Sequence, residues 1–370
     1  MSRMDTGHVL MTADAVGGVW QYATGLAAEL AGEGFGVTLA VMGPAPDASQ
    51  RRCLDGVPGV RLVETGLPLD WMCDNPAEVA AAALGLARLV RACGADLLHC
   101  NSPALLGAAP FPVPVLAAAH GCITTWWQAA RGGAPVDPAL AWHGDLMRRG
   151  LCVADAVVAP SASFAATLEA TYGLARRPLV VHNGRPPADV LQPGAHRLDA
   201  ALVVGRMWDP VKNAALIDAV AARLDLRFLV AGQLSGPHGE EAAFVHAVAL
   251  GALPDADLAA LLALRPIFVS AATFEPFGLA VLEAATAGCA LVLSDIPTFR
   301  ELWDGAAVFA DPRDAAGFAG AIARLHADPD AHRTLGEAAQ ARALRFTPAA
   351  MARGVTAIYR RLLAGREAAA

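Results

Sequence analysis

The sequence predicts an α/β protein made of two doubly wound, Rossmann-like domains, each with a parallel sheet. Three observations predict this class. The chain has 370 residues, enough for roughly two domains of ordinary size. Short apolar runs alternate with alanine-rich segments of helical length, a pattern that favours parallel strands covered by helices on both faces. The alternation stops at G-R-P-P-A-D-V-L-Q-P-G, residues 184–194, and then starts again, which indicates a linker.

The first domain is expected over residues 1–184. Seven apolar runs in it are typical of strands, at 8–12, 37–42, 61–64, 96–100, 113–118, 156–159 and 179–182. Four segments between them have the length and composition of helices, at 19–31, 77–93, 138–151 and 161–172.

The second domain is expected over residues 195–346, after a hinge linker at 185–194. Strands are predicted at 201–204, 228–231, 245–250, 267–270, 290–293 and 307–309. Helices are predicted at 213–223, 255–264, 277–287, 314–327 and 331–345. A last helix over 348–363 follows Thr347 as N-cap, with Pro348 at the first helical position. Ligands of such sheets bind at the carboxyl ends of the strands, so we expect the site in a cleft between two domains that face each other.

Composition limits the class of function. Hydrophobic residues make up 55% and charged residues 17% of the chain, as in a globular protein with a large core. The net charge of -7 argues against a nucleic-acid or anionic-membrane binder. No signal-peptide pattern and no apolar run of about 18 residues is found, and no oligomeric state is indicated. The seven cysteines, without C-x-x-C spacing, suggest reduced, mostly buried thiols of a cytoplasmic protein.

The stretch E-P-F-G-L-A-V-L-E, residues 275–283, carries two carboxylates around the start of a predicted helix. The amides of Phe277, Gly278 and Leu279 would point outward with the positive end of the dipole and could hold a phosphate. Glu275 and Glu283 would lie about 12 Å apart at helical rise, too far for a glycosidase pair. That spacing suits two carboxylates that bind opposite ends of one long ligand. The alternative is an acidic helix start with an incidental second glutamate.

A second stretch, V-V-G-R-M-W-D-P-V-K-N at 203–213, places Arg206 and Lys212 in the turn after a strand. Two cations at this edge of a sheet suit a diphosphate. Lys212 is the only lysine of the chain, which otherwise uses arginine, so its position suggests that a guanidinium does not substitute there. The alternative is that both are solvated turn residues.

Other candidates are weaker. Gly17 and Gly18 follow the first strand, but without the G-x-G-x-x-G dinucleotide fingerprint. His120 ends a strand, where a lone histidine is more often a hydrogen-bonded structural residue than a functional one. Trp126 and Trp127 form either a sugar-stacking face or a packed loop.

A D-x-D pair follows Pro254. Asp255 and Asp257 favour a helix N-cap and first turn over a metal site, and no His/Cys cluster has metal-ligand spacing.

Together these stretches resemble the retaining glycosyltransferases of family 4, which have the GT-B fold. The resemblance covers nearly the whole chain. It includes the Gly17–Gly18 loop, V-H-N-G at 181–184, and G-R…K-N at 205–213. Its most specific part is E-P-F-G-L-A-V-L-E, followed by A-G-C-A-L-V-L-S-D-I-P-T-F-R-E-L at 287–302.

The resemblance implies a role for each residue. Glu275 would bind the donor sugar hydroxyls, near the amides of Phe277, Gly278 and Leu279. Glu283 would hold the ribose, and Arg206 with Lys212 the diphosphate. Further implied positions are His120 beside the donor sugar, Leu253 at the base, Gly17 and Gly18 at the donor, and Trp126, Trp127 and Asn183 on the acceptor side. Gly121 stands where some relatives carry an acidic residue. Residues 347–370 would cross back to the first domain.

The implied reaction moves a sugar from a nucleoside-diphosphate sugar, with UDP favoured, to a hydroxyl acceptor on the same face, without metal or other cofactor. Three alternatives stay open: a nucleotide-sugar epimerase, a phosphorylase and a non-catalytic sugar-nucleotide sensor. A pyridoxal-dependent phosphorylase would need Lys212 for its Schiff base, because no other lysine exists.

Overall fold

The structure is a computed structural model that describes residues 7–188, 197–236 and 239–369. It separates into two compact units, each with its own sheet. Unit 1 comprises Met1–Gly184 with Pro348–Ala370, and unit 2 comprises Arg185–Thr347. Residues 189–194 of the expected linker lie outside the described residues.

Unit 1 contains a seven-stranded parallel sheet in the order β3-β2-β1-β4-β5-β6-β7. Its strands are β1 His8–Asp14, β2 Gly36–Met42, β3 Val60–Glu64, β4 Leu97–Cys100, β5 Val115–Ala118, β6 Ala156–Ala159 and β7 Leu179–Val180. Its helices are α1 Gly18–Gly32, α2 Ala48–Arg52, α3 Pro76–Ala92, α4 Ile123–Ala130, α5 Ala141–Val153 and α6 Ala162–Tyr172. The strand order reverses between β1 and β4. The loops that follow these two neighbouring strands therefore run in opposite directions and leave a crevice at their carboxyl ends.

Unit 2 contains a six-stranded parallel sheet in the order β10-β9-β8-β11-β12-β13. Its strands are β8 Ala200–Val204, β9 Arg227–Ala231, β10 Val248–Gly251, β11 Ile267–Ser270, β12 Ala290–Ser294 and β13 Val308–Ala310. Its helices are α7 Ala214–Ala221, α8 Asp255–Ala263, α9 Leu279–Thr286, α10 Pro297–Trp303, α11 Ala315–Ala327 and α12 Pro329–Ala343. Here the order reverses between β8 and β11.

Both faces of the unit 2 sheet are buried. Along β8, Leu202 belongs to one apolar cluster, while Ala201 and Val203 belong to the cluster on the other face. This double burial explains why the parallel strands read as continuous apolar runs rather than as alternating ones.

The last helix, α13 Pro348–Ala369, follows unit 2 in sequence but packs in unit 1. It lies against α1, and its buried side chains join the core that also holds residues of β1, β2 and β4. The side chains that share this core are Met351, Ala352, Val355, Ile358 and Tyr359.

The α/β class with two parallel sheets is confirmed, but several element predictions are wrong. The strand predicted at 245–250 begins only at Val248, and Val245 is 84% exposed. The helix predicted from 138 begins at Ala141, after a 3-10 turn over Pro138–Leu140. Pro254, not Asp255, is the N-cap of α8, with Asp255 and Asp257 in its first turn. The short helices α2, α4 and α10 were not predicted.

The cysteine expectation is also partly wrong. All seven cysteines are free, but Cys73, Cys100 and Cys289 alone are buried, while Cys53 and Cys152 are exposed. Among the described residues, no helix combines the length and apolarity needed to cross a bilayer.

Candidate active site

One predicted cation of unit 2, Lys212, meets one predicted carboxylate, Glu275, where the strand order reverses. Arg206 and Lys212 follow β8, and Glu275 follows β11, the strand beside it. Lys212, Glu275 and Gly278 line one small pocket together with Val204 and Ser270. Because the carboxyl ends of these two strands lie side by side, residues 63 positions apart in sequence become neighbours.

Lys212 and Glu275 form an ion pair, with Nζ donating to Oε2 over 2.6 Å. Their side chains are 20% and 18% exposed, so the pair is half-buried yet accessible to a ligand. The geometry presents an ammonium and a carboxylate side by side, a combination that can bind a phosphate and a hydroxyl group at once.

The loop that carries Lys212 is anchored to the loop after β11. Asn213 adopts a left-handed conformation (φ 63°), and its Nδ2 donates to the carbonyl oxygens of Ala271 (3.1 Å) and Pro312 (2.8 Å). The amide of Thr273 donates to the carbonyl of Val211 over 2.9 Å. These bonds fix the position of the ammonium relative to Glu275.

Arg206 lies nearer to solvent than Lys212. Its side chain is 43% exposed, its Nη2 lies 3.6 Å from Oδ2 of Asp209, and its guanidinium stacks 5.4 Å from the ring of Trp208. Asp209 is buried and caps the turn by accepting from the amide of Val211 at 3.2 Å. The guanidinium is therefore supported by a carboxylate and a ring and is still partly exposed.

Helix α9 begins at Leu279, two residues later than the sequence predicts. Gly278 is its N-cap at φ 93°, a conformation that favours glycine, and no side chain caps the helix. Within the described part of the chain, nothing accepts a hydrogen bond from the amides of Leu279 and Ala280. Two open donors thus lie at the positive end of the helix dipole, an arrangement that suits an anion. They are beside Glu275, whose Cγ would lie 3.4 Å from a Cβ at Gly278.

Phe277 precedes the helix, and its ring is buried rather than facing the pocket. It packs edge-on against Phe346 with the ring centroids 5.7 Å apart. Because α9 begins at Leu279, the predicted helix start at Phe277 is wrong. The spacing of about 12 Å between the two glutamates assumed helical rise from residue 275 and does not apply.

Glu283 lies in the second turn of α9 and pairs with Arg185, whose Nη2 is 2.8 Å from Oε1. Burial raises the pKa of Glu283, Arg185 lowers it in part, and Asp255 raises it further. Leu253, in the loop before α8, is half-buried against the apolar cluster that includes α9.

In unit 1, His120 follows β5 and is held by a chain of polar contacts. Its Nε2 bonds to Oδ1 of Asn101 at 2.9 Å, and the amide of Asn101 donates to Oγ1 of Thr12 at 2.7 Å. The ring of Tyr22 lies 4.3 Å from that of His120. Burial lowers the pKa of His120 to about 4, so the imidazole is neutral at pH 7.

The glycines after β1 form the start of α1. Gly17 is the N-cap, and Oδ1 of Asp14 accepts from the amides of Val16 (3.0 Å) and Gly17 (3.2 Å). Gly18 is exposed. The Asp14 carboxylate therefore serves this turn directly.

The two adjacent tryptophans lie on α4, which the sequence did not predict. Trp127 is half-buried, with Nε1 donating to the carbonyl of Pro135 at 2.9 Å and its ring under Arg131. Trp126 is half-buried beside it. Asn183 is buried, and in the described part of the chain its Oδ1 accepts no hydrogen bond.

Two family models match the chain, one on each unit. Glycosyltransferase Family 4 matches residues 16–188, and Glycosyl transferases group 1 matches residues 199–328.

The chain is a GT4-like glycosyltransferase.

Several solved structures are similar in fold. Sucrose-phosphate synthase from Thermosynechococcus elongatus is 19% identical with a TM-score of 0.79, covering 97% of this glycosyltransferase and 100% of that chain. HepE of Anabaena, in complex with UDP-glucose, is 18% identical with a TM-score of 0.74, over 96% and 100% of the chains. A glycosyltransferase from Rickettsia africae is 18% identical with a TM-score of 0.69, over 96% and 98%. No curated protein sequence matches the chain. At these identities the likeness shows the two-domain GT-B fold.

Three residues of this glycosyltransferase were missed by sequence reasoning. Arg185 is the second residue of the proline- and glycine-rich stretch, and its charge was the available signal. Asn213 directly follows Lys212, and asparagine is among the residues that tolerate the left-handed conformation. Asn101 directly follows β4, the strand beside β5 and His120, so a predicted strand order would have indicated it.

The described residues contain no group of three or more His, Cys, Asp and Glu side chains arranged to hold a metal ion.

Proposed function

We propose that the enzyme transfers a sugar from a nucleoside-diphosphate sugar, with a UDP-sugar favoured, to a hydroxyl of an acceptor with retention of anomeric configuration and without a metal ion. The observation that carries the proposal is the Lys212–Glu275 pair next to the open amides of α9, where the sheet order reverses. A nucleotide sugar is bound by a cation and amides that contact its phosphates and by a carboxylate that accepts from its sugar hydroxyls.

The donor would replace the internal ion pair by two sets of contacts. Lys212, Arg206 and the amides of Leu279 and Ala280 would bind the diphosphate, while Glu275 would accept from the sugar hydroxyls. Breaking a half-buried ion pair leaves both groups unsatisfied. Productive binding therefore requires a ligand with phosphate and hydroxyl groups together, which favours the intact donor over its separate parts.

The rest of the donor would extend along unit 2. Glu283 would bind the ribose, and Leu253 would lie near the base. HepE, a similar structure, was solved with UDP-glucose, which favours UDP as the carrier.

In the proposed reaction the bond between the anomeric carbon and the diphosphate oxygen breaks, and the acceptor oxygen bonds to that carbon on the same face. The acceptor proton passes to the leaving phosphate oxygen. Lys212, Arg206 and the helix amides stabilise the negative charge that develops on the diphosphate, which is why we propose that no metal is required.

His120 is proposed to contact the transferred sugar. Its Nε2–H donates to Oδ1 of Asn101, which leaves Nδ1 of the neutral ring as an acceptor for a sugar hydroxyl. Gly17 and Gly18 are proposed on the donor side, and Trp126, Trp127 and Asn183 on the acceptor side.

Two measurements test the proposal. In a thermal-shift panel, a UDP-sugar should raise Tm more than the corresponding GDP- and ADP-sugars, because ligand that binds only the folded state stabilises it. The same shift should persist in excess EDTA. Once an acceptor is found, proton NMR of the product made from an α-linked donor should show an α-linkage. A β-linked product, or binding that needs added Mn²⁺, would contradict the mechanism.

A further inference from the structure

Glu283 is paired on one side only. Its Oε1 accepts from Nη2 of Arg185 over 2.8 Å, and both side chains are about one quarter exposed. Its Oε2 has no hydrogen-bond partner in the part of the chain that the structure describes. An ionised carboxylate offers about four lone-pair sites, so most of its acceptor capacity is open to a ligand.

Arg185 is fixed independently of Glu283. Its backbone amide donates to the carbonyl of Phe346 over 3.0 Å. Phe346 is buried and packs against the rings of Phe277 (5.7 Å) and Trp303 (5.8 Å). Phe277 immediately precedes Gly278, the N-cap of α9, so Arg185 is anchored to the same apolar cluster as the helix that carries Glu283.

We propose that Arg185 is a positioning residue of the ribose subsite, which holds one oxygen of Glu283 and directs the other toward the 2′- and 3′-hydroxyls of the donor. This inference rests on the proposed function, because it takes Glu283 as the ribose contact. It adds a residue that neither motif contains and a specificity: the site should distinguish a ribonucleotide from its 2′-deoxy form.

The preference for a ribonucleotide follows from the acceptor sites of Glu283 that a 2′-deoxy ligand leaves unpaired. A 2′-deoxy nucleotide would desolvate the open side of Glu283 without donating to it in full, and an unpaired buried carboxylate is costly. Without Arg185 the carboxylate of Glu283 could rotate away from the ribose. The ribonucleotide and its 2′-deoxy form would then bind with similar affinity.

Charge gives a second consequence. Burial raises the pKa of Glu283, and Asp255 at the start of α8 raises it too, while Arg185 opposes both. From α12, the neutral Gln340 donates through Nε2 to the carbonyl of Thr286 in α9. Removing Arg185 therefore raises the pKa of Glu283 further. As the pH is lowered, Glu283 of the variant becomes protonated at a higher pH than in the wild type, and it then no longer accepts from two hydroxyls.

The experiment is calorimetric titration of UDP and 2′-deoxy-UDP, from about pH 5.5 to 8, into the full chain and three variants. The variants are Arg185→Met, Arg185→Lys and the control Arg333→Met, an exposed arginine of α12 that pairs with Asp330 and Glu337. If UDP does not bind, the nucleoside diphosphate with the largest thermal shift and its 2′-deoxy form replace the two probes.

Arg185→Met should weaken UDP binding by about tenfold or more, the range for truncating one partner of a partly buried charge pair, and 2′-deoxy-UDP binding by much less. Its acid loss of affinity should move to higher pH. Arg185→Lys should restore part of the preference, and Arg333→Met should match the wild type.

The remaining outcomes each contradict a defined statement. If Arg185→Met weakens the binding of UDP and 2′-deoxy-UDP equally, and affinity is lost at the same acidic pH as in the wild type, then Arg185 is only structural. If Arg185→Met fails to fold, the same readouts on Arg185→Lys decide, since a wild-type preference ratio in that variant overturns the role. A wild type that binds both ligands equally overturns the inference and leaves the donor proposal intact. Binding of no nucleoside diphosphate overturns the proposed function itself.

Discussion

At the scale of single residues, the strongest prediction concerns Lys212, the only lysine in the chain. Lys212→Ala should lower kcat/KM by about a hundredfold or more, the usual cost of losing one group that stabilises developing charge. It also leaves Glu275 unpaired, since Lys212 is the cation at 2.6 Å. Lys212→Arg should recover only part of the activity, because a planar guanidinium does not place its donors where an ammonium does. Initial rates at varied donor concentration measure this.

Arg333→Ala is the control, as its guanidinium makes only exposed contacts on α12. A Lys212→Ala enzyme within a few fold of the wild type would exclude the leaving-group role.

The sequence indicates which residues become neighbours only where the topology alone brings them together. Lys212 and Glu275 each follow a strand, and the parallel order makes those strand ends neighbours. The pairing of Arg185 with Glu283 could not be predicted in this way. It depends on where an irregular segment lies relative to the second turn of a helix, which tertiary packing through Phe346 decides.

At the scale of elements, the start of α9 is the critical feature. Gly278→Ala should destabilise unit 2 by about 1–3 kcal/mol, because a non-glycine residue is strained in the left-handed region. At φ 93° its Cβ would also lie 3.1 Å from Cε1 of Phe299. The helix start would shift and the open amides would move, so donor affinity should fall as well. Urea unfolding and calorimetric donor titration measure the two effects.

Gly320→Ala is the matched control on α11. A Cβ there would meet only the end of Arg324, 3.6 Å away, and alanine is the better helix former. The control should therefore be neutral or slightly stabilising. Equal behaviour of the two variants would show that the conformation of Gly278 is not required.

Element prediction failed mainly for short segments. The strands were found because burial on both faces makes each a continuous apolar run, as in Ile267–Ser270. Helices α2, α4 and α10, of five, eight and seven residues, are too short to show a helical period and are held by caps and packing. Helix α9 begins two residues later than predicted because Gly278, in the left-handed conformation, is its N-cap.

At the scale of the whole molecule, the two ends of the chain belong to one folding unit. Tyr359 of α13 is fully buried, packs edge-on against Phe35 at 5.9 Å, and bonds through its hydroxyl to Nδ1 of His99 at 2.6 Å. Nε2 of His99 contacts the hydroxyl of Tyr22 in α1 at 3.2 Å. A strand, the first helix and the last helix of the protein are thus joined by one buried polar chain.

Tyr359→Ala should therefore destabilise unit 1 by about 3–5 kcal/mol, the range for truncating a buried aromatic residue, and leave His99 without an acceptor or donor on one side. Hydrogen exchange followed by mass spectrometry should show faster exchange in β1 and β4 and unchanged exchange in β8 and β11. Arg353→Ala, on the exposed face of the same helix, should leave hydrogen exchange in both units unchanged.

Faster exchange in both units of Tyr359→Ala would mean that they unfold together. No change in either unit would mean that the packing of α13 in unit 1 adds little to the stability of that unit. The expected result makes the segment after residue 347 part of the first core, so that loss of the last helix would destabilise the unit that was synthesised first.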